Sequence, residues 1–496
     1  MAKMTINRLT TGIPGLDEVL GGGLPEYSFN LIAGAPGSGK TTLAHQLMFA
    51  LATPQRPALY FTVLGEPPLK MLRYQQQFAF FDSTKIGTAI HFISLGDDTE
   101  VGDLDKVLAT ISSAVRQYNP ALVCIDSFRS LILASQSGRA FLNLQQFIQQ
   151  LGVLMASWQA TSFLIGEYFR EGDSTPVFTV ADGLIWLRQS VERNSVVRKM
   201  ELVKLRGQAT LPGLHTFRIG SAGIHVFAPP QMAGSGEKAA DSDIRLKMGV
   251  AGLDEMMGGG LPRGYSLLVA GPSGSGKSIM ASAFLAEGAR NNETAVIAAF
   301  EQRANISRGE IIAELIDSDR IGVIDTRAVT ISVDEIAQLL IAEIERLKAT
   351  RVVIDSLSGF ELALAPTFRA DFRESMARMV SALSGTGVTV MMTSELEDRY
   401  TDLRFSPYGT AFLVDAIIVQ RYIEVDSRLL RVMAVVKVRR SAHSNELRLF
   451  EIDDDGIQIR GMLPGQEGLL GGRPTRRDAG SNHSDALSPS VDKVLA

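Results

Sequence analysis

The sequence predicts an α/β protein made of two tandem copies of one domain, each a mostly parallel sheet with helices on both faces. A Gly-rich octet typical of phosphate-binding loops occurs twice, at residues 34–41 and 271–278. The segments around each octet are repeated, and short apolar runs alternate with helical patterns in both halves. Strands that alternate with helices favour parallel pairing, because each helical crossover returns the chain to the same edge of the sheet.

The repeat extends well beyond the octets. The segment TGIPGLDE begins at Thr11 and is followed by GGGLP. In the second half, MGVAGLDE begins at Met248 and is also followed by GGGLP. Equivalent residues such as Lys40 and Lys277 are 237 positions apart, which indicates a tandem duplication. The spacing and a segment rich in Ala, Pro, Gly and Ser predict a first domain at 1–227, a linker at 228–243, a second domain at 244–464 and a flexible tail at 465–496.

Each octet follows a short apolar run that ends at glycine, at residues 28–33 and 266–270. Such runs are typical of strands buried on both faces of a parallel sheet. The same reasoning predicts further strands at 58–62, 122–125 and 161–165, and helices at 143–155 and 332–348.

Both octets fit G-x-x-x-x-G-K-[ST], the phosphate loop of P-loop NTPases. Lys40 and Lys277 should reach the β- and γ-phosphates of ATP, and the hydroxyls of Thr41 and Ser278 should ligate Mg²⁺. Glycine is needed because the backbone N–H groups must turn toward an anion in conformations that a Cβ forbids. The predicted loop residues are Gly34, Gly37, Ser38, Gly39, Lys40, Thr41 and Thr42, with Gly271, Gly274, Ser275, Gly276, Lys277 and Ser278 in the second half.

A second Mg²⁺ contact is expected from a neighbouring strand end. The apolar runs ALVCID and RVVID end at Asp126 and Asp355, which we predict as metal ligands in the manner of a Walker B aspartate. An aspartate that merely caps the next helix is the alternative.

Hydrolysis also needs a carboxylate that polarises the attacking water. The strand after the phosphate-loop helix ends near Glu66 in the first half and Glu301 in the second, and we predict both as catalytic. Either glutamate could instead be an ordinary exposed loop residue. Glu167 and Glu395 end another strand at matching places, where they could sense the γ-phosphate or hydrogen-bond within the site.

The composition and the absence of long apolar runs argue against a nucleic-acid-binding, a disulfide-bonded and a membrane-spanning protein. The chain has 496 residues and a net charge of −5, which gives no general attraction to nucleic acid. The single cysteine, Cys124, lies in an apolar run, so disulfides play no part. The first residues lack the apolar core of a signal peptide, and no apolar run is long enough to span a bilayer. We therefore expect a cytoplasmic protein.

These motifs, together with Lys204-Leu205-Arg206-Gly207, resemble the KaiC family of clock ATPases over about residues 5–460. The resemblance implies RecA-like domains stacked as two rings in a homohexamer, with ATP between neighbouring subunits. It also implies that Lys204 and Arg206, and in the second half Lys437 and Arg439, reach a neighbour's nucleotide. His443 stands where the family has a histidine, either as a nucleotide contact or as a packed surface residue.

The chain departs from the family in three places. Leu64-Gly65 stands where the first ring has adjacent glutamates, and Glu66 comes one residue later. Gln302 replaces the companion of Glu301. Ala411 and Phe412 replace the Ser-Thr pair on which clock members autophosphorylate, and the nearest hydroxyls are those of Thr410 and Ser406.

The preferred hypothesis is a ring ATPase whose nucleotide state switches binding of KaiB-like or signalling partners, with possible serine/threonine autokinase activity in the second domain. One alternative is a DNA-associated ATPase related to RecA or RadA, although the candidate bore-facing loops are mixed in charge. Another is a nucleotide-binding scaffold whose first ring is inactive.

Overall fold

A computed structural model describes residues 6–63, 68–95, 104–128, 140–168, 176–192, 195–230, 244–300, 309–325, 331–364, 366–369, 372–396, 413–463, 466–467 and 475–476. The chain divides into two compact units, the first built mainly from residues before 232 and the second mainly from residues after it. Within the described residues, no helix is both long enough and apolar enough to cross a membrane.

The first unit alternates strands and helices, as predicted. Its helices are α1 (Leu16–Leu20), α2 (Lys40–Leu51), α3 (Pro68–Gln75), α4 (Leu104–Tyr118), α5 (Ala140–Ser157) and α6 (Pro176–Val180), with a 3₁₀ turn at Ser83–Lys85. Its strands are β1 (Arg8–Leu9), β2 (Leu24–Pro25), β3 (Phe29–Gly34), β4 (Ala58–Thr62), β5 (Ile90–Ser94), β6 (Leu122–Asp126), β7 (Thr161–Glu167), β8 (Gly183–Glu192), β9 (Ser195–Leu205), β10 (Leu214–Gly220) and β11 (Gly223–Phe227).

Nine of these strands form one sheet in the order β11-β10-β9-β8-β3-β7-β6-β4-β5. The six strands from β8 to β5 are parallel. From β8 onward the sheet continues antiparallel through β9, β10 and β11. The carboxyl ends of the parallel strands therefore meet at one edge, where open α/β sheets bind ligands.

Both faces of this sheet are covered. Ile32 of β3 packs into one apolar core with Leu43 of α2, whereas Leu31 belongs to a second core that includes Ile111 of α4 and Ile148 of α5. Adjacent residues of a strand point to opposite faces, so a strand buried on both sides must be apolar throughout. This is why the run before the octet lacks the alternation of a half-exposed strand.

The second unit repeats the design. Its helices are α7 (Ala251–Met256), α8 (Lys277–Arg290), α9 (Glu310–Asp317), α10 (Val333–Leu347), α11 (Leu357–Ala363), α12 (Pro366–Arg369) and α13 (Phe372–Gly385). Its strands are β12 (Arg245–Leu246), β13 (Leu261–Pro262), β14 (Ser266–Gly271), β15 (Ala295–Ala299), β16 (Ile321–Asp325), β17 (Arg351–Asp355), β18 (Thr389–Glu395), β19 (Ala416–Val425), β20 (Arg428–Val438), β21 (Arg448–Asp453) and β22 (Gly456–Met462). The short pair β23 (Gln466–Glu467) and β24 (Thr475–Arg476) follows.

The second nine-stranded sheet has the order β16-β15-β17-β18-β14-β19-β20-β21-β22, the same arrangement as the first. Two tandem RecA-like α/β domains are thereby confirmed. The strand predicted at 58–62 is observed at those residues, and the helix predicted at 332–348 is observed as α10. The antiparallel extension after β8 and β19 was not predicted, because the phosphate-loop and strand-end motifs lie on the parallel strands.

Candidate nucleotide-binding site

The first phosphate loop follows β3, which lies between β7 and β8 in the sheet. Helix α2 begins at Lys40, directly after the loop, so its first backbone N–H groups are available to an anion. Gly39 has a φ of 103°, and a Cβ at this position would lie 2.7 Å from Ile219 Cδ1. Only glycine fits there without strain and displacement of the neighbouring side chain.

The second loop has the same construction. Helix α8 begins at Lys277, and Gly276 has a φ of 99°. A Cβ on Gly276 would lie 2.7 Å from Ile452 Cδ1. Lys277 Nζ donates to Gly271 O at 2.8 Å and to Pro272 O at 2.7 Å, which holds the ammonium against its own loop. Both octets therefore have the backbone form expected of a phosphate loop, and anion binding there stays a prediction.

Lys40 is held within the first loop in the same way, since its Nζ donates to Ala35 O at 2.8 Å. Burial lowers the pKa of Lys40, and the negative charges of Glu167 and Asp126 act in the opposite direction. Burial therefore disfavours the charged form of Lys40, and the two nearby carboxylates favour it. A phosphate in the loop would supply a further negative charge beside the ammonium.

The predicted Mg²⁺ ligands of the first unit come together in the structure. Asp126 Oδ2 accepts hydrogen bonds from Thr41 Oγ1 at 2.8 Å and from Tyr60 OH at 2.6 Å. Burial raises the pKa of Asp126, whereas these two hydrogen bonds and the charge of Lys40 lower it. A hydroxyl and a carboxylate side by side are hard oxygen donors of the kind that Mg²⁺ prefers.

Asp355 ends β17 at the equivalent place, and 8% of its surface is exposed. One of its carboxylate oxygens accepts a hydrogen bond from Thr393 Oγ1 of β18. Ser278 lies in the first turn of α8. The peptide bonds that follow Asp126 and Asp355 are both cis.

No cluster of three or more His, Cys, Asp or Glu residues that could hold a metal occurs in the described parts of the chain. This finding is compatible with the predicted Mg²⁺ sites, because Mg²⁺ is commonly held by one or two protein oxygens together with substrate phosphates.

The serines of the two loops have different surroundings. Ser275 Oγ donates to Gln420 Oε1 at 2.9 Å. Ser38 is fully buried, and its Oγ has no hydrogen-bond partner among the residues that the structure describes. Leu187 occupies the position of Gln420 in the first unit, because Leu187 pairs with Gly34 and Gln420 directly follows Val419, which pairs with Ala270 before Gly271.

Glu167 and Glu395 are brought to the phosphate loops as predicted. Each is the last residue of its strand and lies in register with the first loop glycine, Gly34 or Gly271. Both glutamates are exposed at the carboxyl edge of the sheet. Their position therefore permits a contact with a nucleotide.

The four predicted cations are held by their own chain. Lys204 Nζ donates to Ala181 O at 2.5 Å, and Arg206 pairs with Asp182 at 3.2 Å. In the second unit, Lys437 Nζ donates to Val414 O at 2.6 Å, and Arg439 pairs with Asp415 at 3.3 Å. Burial lowers the pKa of Lys204 and of Lys437. The positive charge of Arg206 lowers the pKa of Lys204 further, and that of Arg439 does the same for Lys437.

These cations lie at the wrong edge of the sheet to serve their own phosphate loop. On β8, Leu187 is opposite Gly34 of the loop, whereas Leu184 is opposite Lys204. Three residues along a strand span about 10 Å, and Arg206 lies further away in the same direction. Within its own unit, each pair of cations is therefore near the amino ends of the parallel strands, while the phosphate loop is at their carboxyl ends.

Some predicted residues lie outside the described residues. These are Glu66, Glu301, Gln302, Ser406, Thr410, Ala411 and Phe412. Their roles stay predictions. His443 is described, and its Nδ1 shares a hydrogen bond with Ser444 O at 3.1 Å.

Tyr60, Thr393 and Gln420 contact site residues and were not predicted. Each lies inside a strand whose residues read as core. Comparison of the two halves offers a signal for Tyr60, because the equivalent residue 237 positions later is Ile297, which has no hydroxyl.

The chain matches the family model described as "ATPase: KaiC" over residues 9–231 and again over residues 246–463. It is 30% identical to circadian clock oscillator protein KaiC 1 of Synechocystis sp., over 95% of this chain and 92% of that protein. It is 28% identical to KaiC of Picosynechococcus sp., over 99% and 97% of the two chains. Its identity to KaiC of Prochlorococcus marinus is also 28%, over 99% of each chain.

Proposed function

The chain belongs to the KaiC family of ATPases, and from this premise we propose that it assembles into a homohexameric ring with ATP and Mg²⁺ between neighbouring copies. The observation that supports this proposal most directly is the position of four cations at the amino ends of the parallel strands, away from the phosphate loops of their own units. These cations are Lys204, Arg206, Lys437 and Arg439. A head-to-tail ring brings one edge of a subunit against a different edge of the next. Cations that cannot reach their own nucleotide are then available to a neighbour's.

In this proposal the phosphate loops with Lys40 and Lys277 bind the triphosphate, and Thr41 with Asp126 and Ser278 with Asp355 hold the metal. Mg²⁺ held by these residues would supply positive charge that neutralises the charge developing during phosphoryl transfer. Cations from the neighbour stabilise the same charge, an effect worth about 10³–10⁵ in rate. Glu66 and Glu301 are the candidates for orienting the attacking water.

A nucleotide between subunits couples its chemistry to ring geometry, because each nucleotide state favours a different arrangement of neighbours. The relatives are named as circadian clock oscillator proteins, which supports a switching role for this chain toward KaiB-like or signalling partners. Serine/threonine autokinase activity is a further part of the proposal, with Thr410 or Ser406 as acceptor. Intact-mass analysis after incubation with Mg-ATP tests it, since each transfer adds one phosphate.

Mixing two inactive variants tests the shared site. Both variants carry Lys277→Ala, which removes nucleotide binding by the second loop. The first variant also carries Lys40→Ala, which removes nucleotide binding by the first loop. The second variant instead carries Arg206→Ala, which removes the cation that would contact the neighbour's nucleotide. Each variant alone should be inactive. In an equal mixture that exchanges subunits, about one quarter of the interfaces combine an intact loop with an intact arginine, so about one quarter of first-domain turnover should return.

The outcome separates three possibilities. Recovery on mixing supports a site shared between subunits, whereas no recovery despite subunit exchange contradicts it. A parent protein that stays a single subunit with saturating Mg-ATP contradicts the ring. Equal loss of turnover in the separate Lys40→Ala and Lys277→Ala variants argues against an inactive first ring.

A further inference from the structure

The two units hold their metal-site aspartates from opposite sides. In the first unit, β6 lies between β4 and β7, and besides Thr41 the residue that donates a hydroxyl hydrogen bond to Asp126 is Tyr60 of the neighbouring strand β4. In the second unit, β17 lies between β15 and β18, and the hydroxyl on Asp355 comes from Thr393 of β18. Neither hydroxyl has a counterpart in the other unit. The second unit has Ile297 at the position of Tyr60, and the first unit has Ile165 at the position of Thr393.

The side chain of Tyr60 is fixed by its neighbours. It is fully buried, and its ring centroid lies 4.6 Å from that of His45 and 5.4 Å from that of Phe92. Ser282 and Val323 occupy the equivalent positions in the second unit. The aromatic packing that aims the phenol at Asp126 is therefore a property of the first unit.

The hydrogen bonds define which carboxylate oxygen is left for a metal site. Thr41 and Tyr60 both donate to Oδ2 of Asp126. A hydroxyl has one proton and two lone pairs, so Thr41 can donate to Asp126 while its oxygen binds Mg²⁺. With two donors on Oδ2, the carboxylate cannot turn without losing a hydrogen bond, and Oδ1 keeps its direction.

We propose that Tyr60 is a positioning residue that orients Asp126 toward Mg²⁺, so that the first site's Mg²⁺ requirement is set independently of the second site's. This inference rests on the proposed function, because it concerns the metal that accompanies the nucleotide. Tyr60 acts through Asp126 and does not itself touch the nucleotide.

Tyr60→Phe tests the inference, because it removes the hydroxyl and keeps the ring. The Lys277→Ala background restricts the measurement to the first site. Equilibrium binding of ADP is followed as Mg²⁺ is increased. Loss of one hydrogen bond to a charged group should raise the Mg²⁺ concentration at half-saturation by about tenfold or more. Binding of ADP in EDTA should not change. Mn²⁺ in place of Mg²⁺ gives a second readout, by electron paramagnetic resonance of the bound ion.

The reciprocal background provides the matched control. In Lys40→Ala, which leaves only the second site, Thr393→Val should raise the Mg²⁺ midpoint and Tyr60→Phe should not. An unshifted midpoint for Tyr60→Phe at the first site would overturn the inference. An equal loss of ADP binding with and without Mg²⁺ would overturn it as well, since it would indicate a merely structural role. If the Lys277→Ala parent binds no ADP at any Mg²⁺ concentration, the proposed function fails together with the inference.

Discussion

Replacing Glu293 with glutamine should destabilise the second unit, because it leaves a buried arginine without its anionic partner. Arg351, which is 1% exposed, begins β17, and its Nε lies 2.5 Å from a carboxylate oxygen of Glu293. Its guanidinium also donates to Lys247 O at 2.8 Å and to Phe284 O at 3.1 Å. The cation lies over the Phe284 ring, 4.5 Å from its centroid.

Removing one partner of a buried ion pair costs about 3–5 kcal/mol. We expect the lower end of this range, about 3 kcal/mol, because the two carbonyl contacts of Arg351 remain and Glu293 is 21% exposed. For a unit of this size, such a loss lowers the melting temperature by about 6–12 °C. The double variant Arg351→Leu/Glu293→Leu should recover most of the loss, since apolar replacement of a buried ion pair is often neutral. Leucine is already present at this strand position in the first unit, as Leu122.

The assay can separate the two units. The chain has two tryptophans, Trp158 and Trp186, and both lie in the first unit. Thermal unfolding followed by far-ultraviolet circular dichroism reports both units, whereas tryptophan fluorescence reports the first. In Glu293→Gln without nucleotide, a circular dichroism transition should move to lower temperature while the fluorescence transition stays in place. A variant in which neither transition moves, or in which both move together, would refute the reasoning.

Two further predictions concern the first unit. Burial lowers the pKa of His45 to about 4, below the value of about 6.5 expected when unfolded. The unfolded chain therefore binds a proton that the folded chain excludes, and stability should fall by up to about 3 kcal/mol as pH falls from 6.5 to 4. Urea unfolding followed by tryptophan fluorescence should show a smaller fall in His45→Leu, and an equal fall would contradict the assignment. Gly39→Ala, in the Lys277→Ala background, should weaken equilibrium nucleotide binding at least about tenfold, because the methyl group strains the loop. Gly87→Ala is the control, since Gly87 also has a positive φ, of 77°, but has no atom within 4 Å of the added carbon; equal weakening by both would count against the loop argument.

Much of the fold could be predicted from the sequence because its signals are local. The octets need glycine at particular positions, and Gly39 and Gly276 adopt the positive φ values that this predicts. Buried parallel strands read as continuous apolar runs, as β3 and β14 do. The pairing of Thr41 with Asp126 also followed from sequence, because a phosphate-loop helix and the end of a nearby strand meet at one edge of such a sheet.

The sequence by itself determined the duplication, the phosphate loops, the parallel strands and the family resemblance, since each is written in spacing along the chain. Only the tertiary structure decided that Tyr60 reaches Asp126 across 66 positions, while the second unit uses Thr393 from the other neighbouring strand. It also decided that Lys204 and Arg206 lie at the edge away from their own loop. The physical reason is that contacts between strands depend on strand order and register. These contacts join residues that are far apart in the sequence, so no local sequence pattern predicts them.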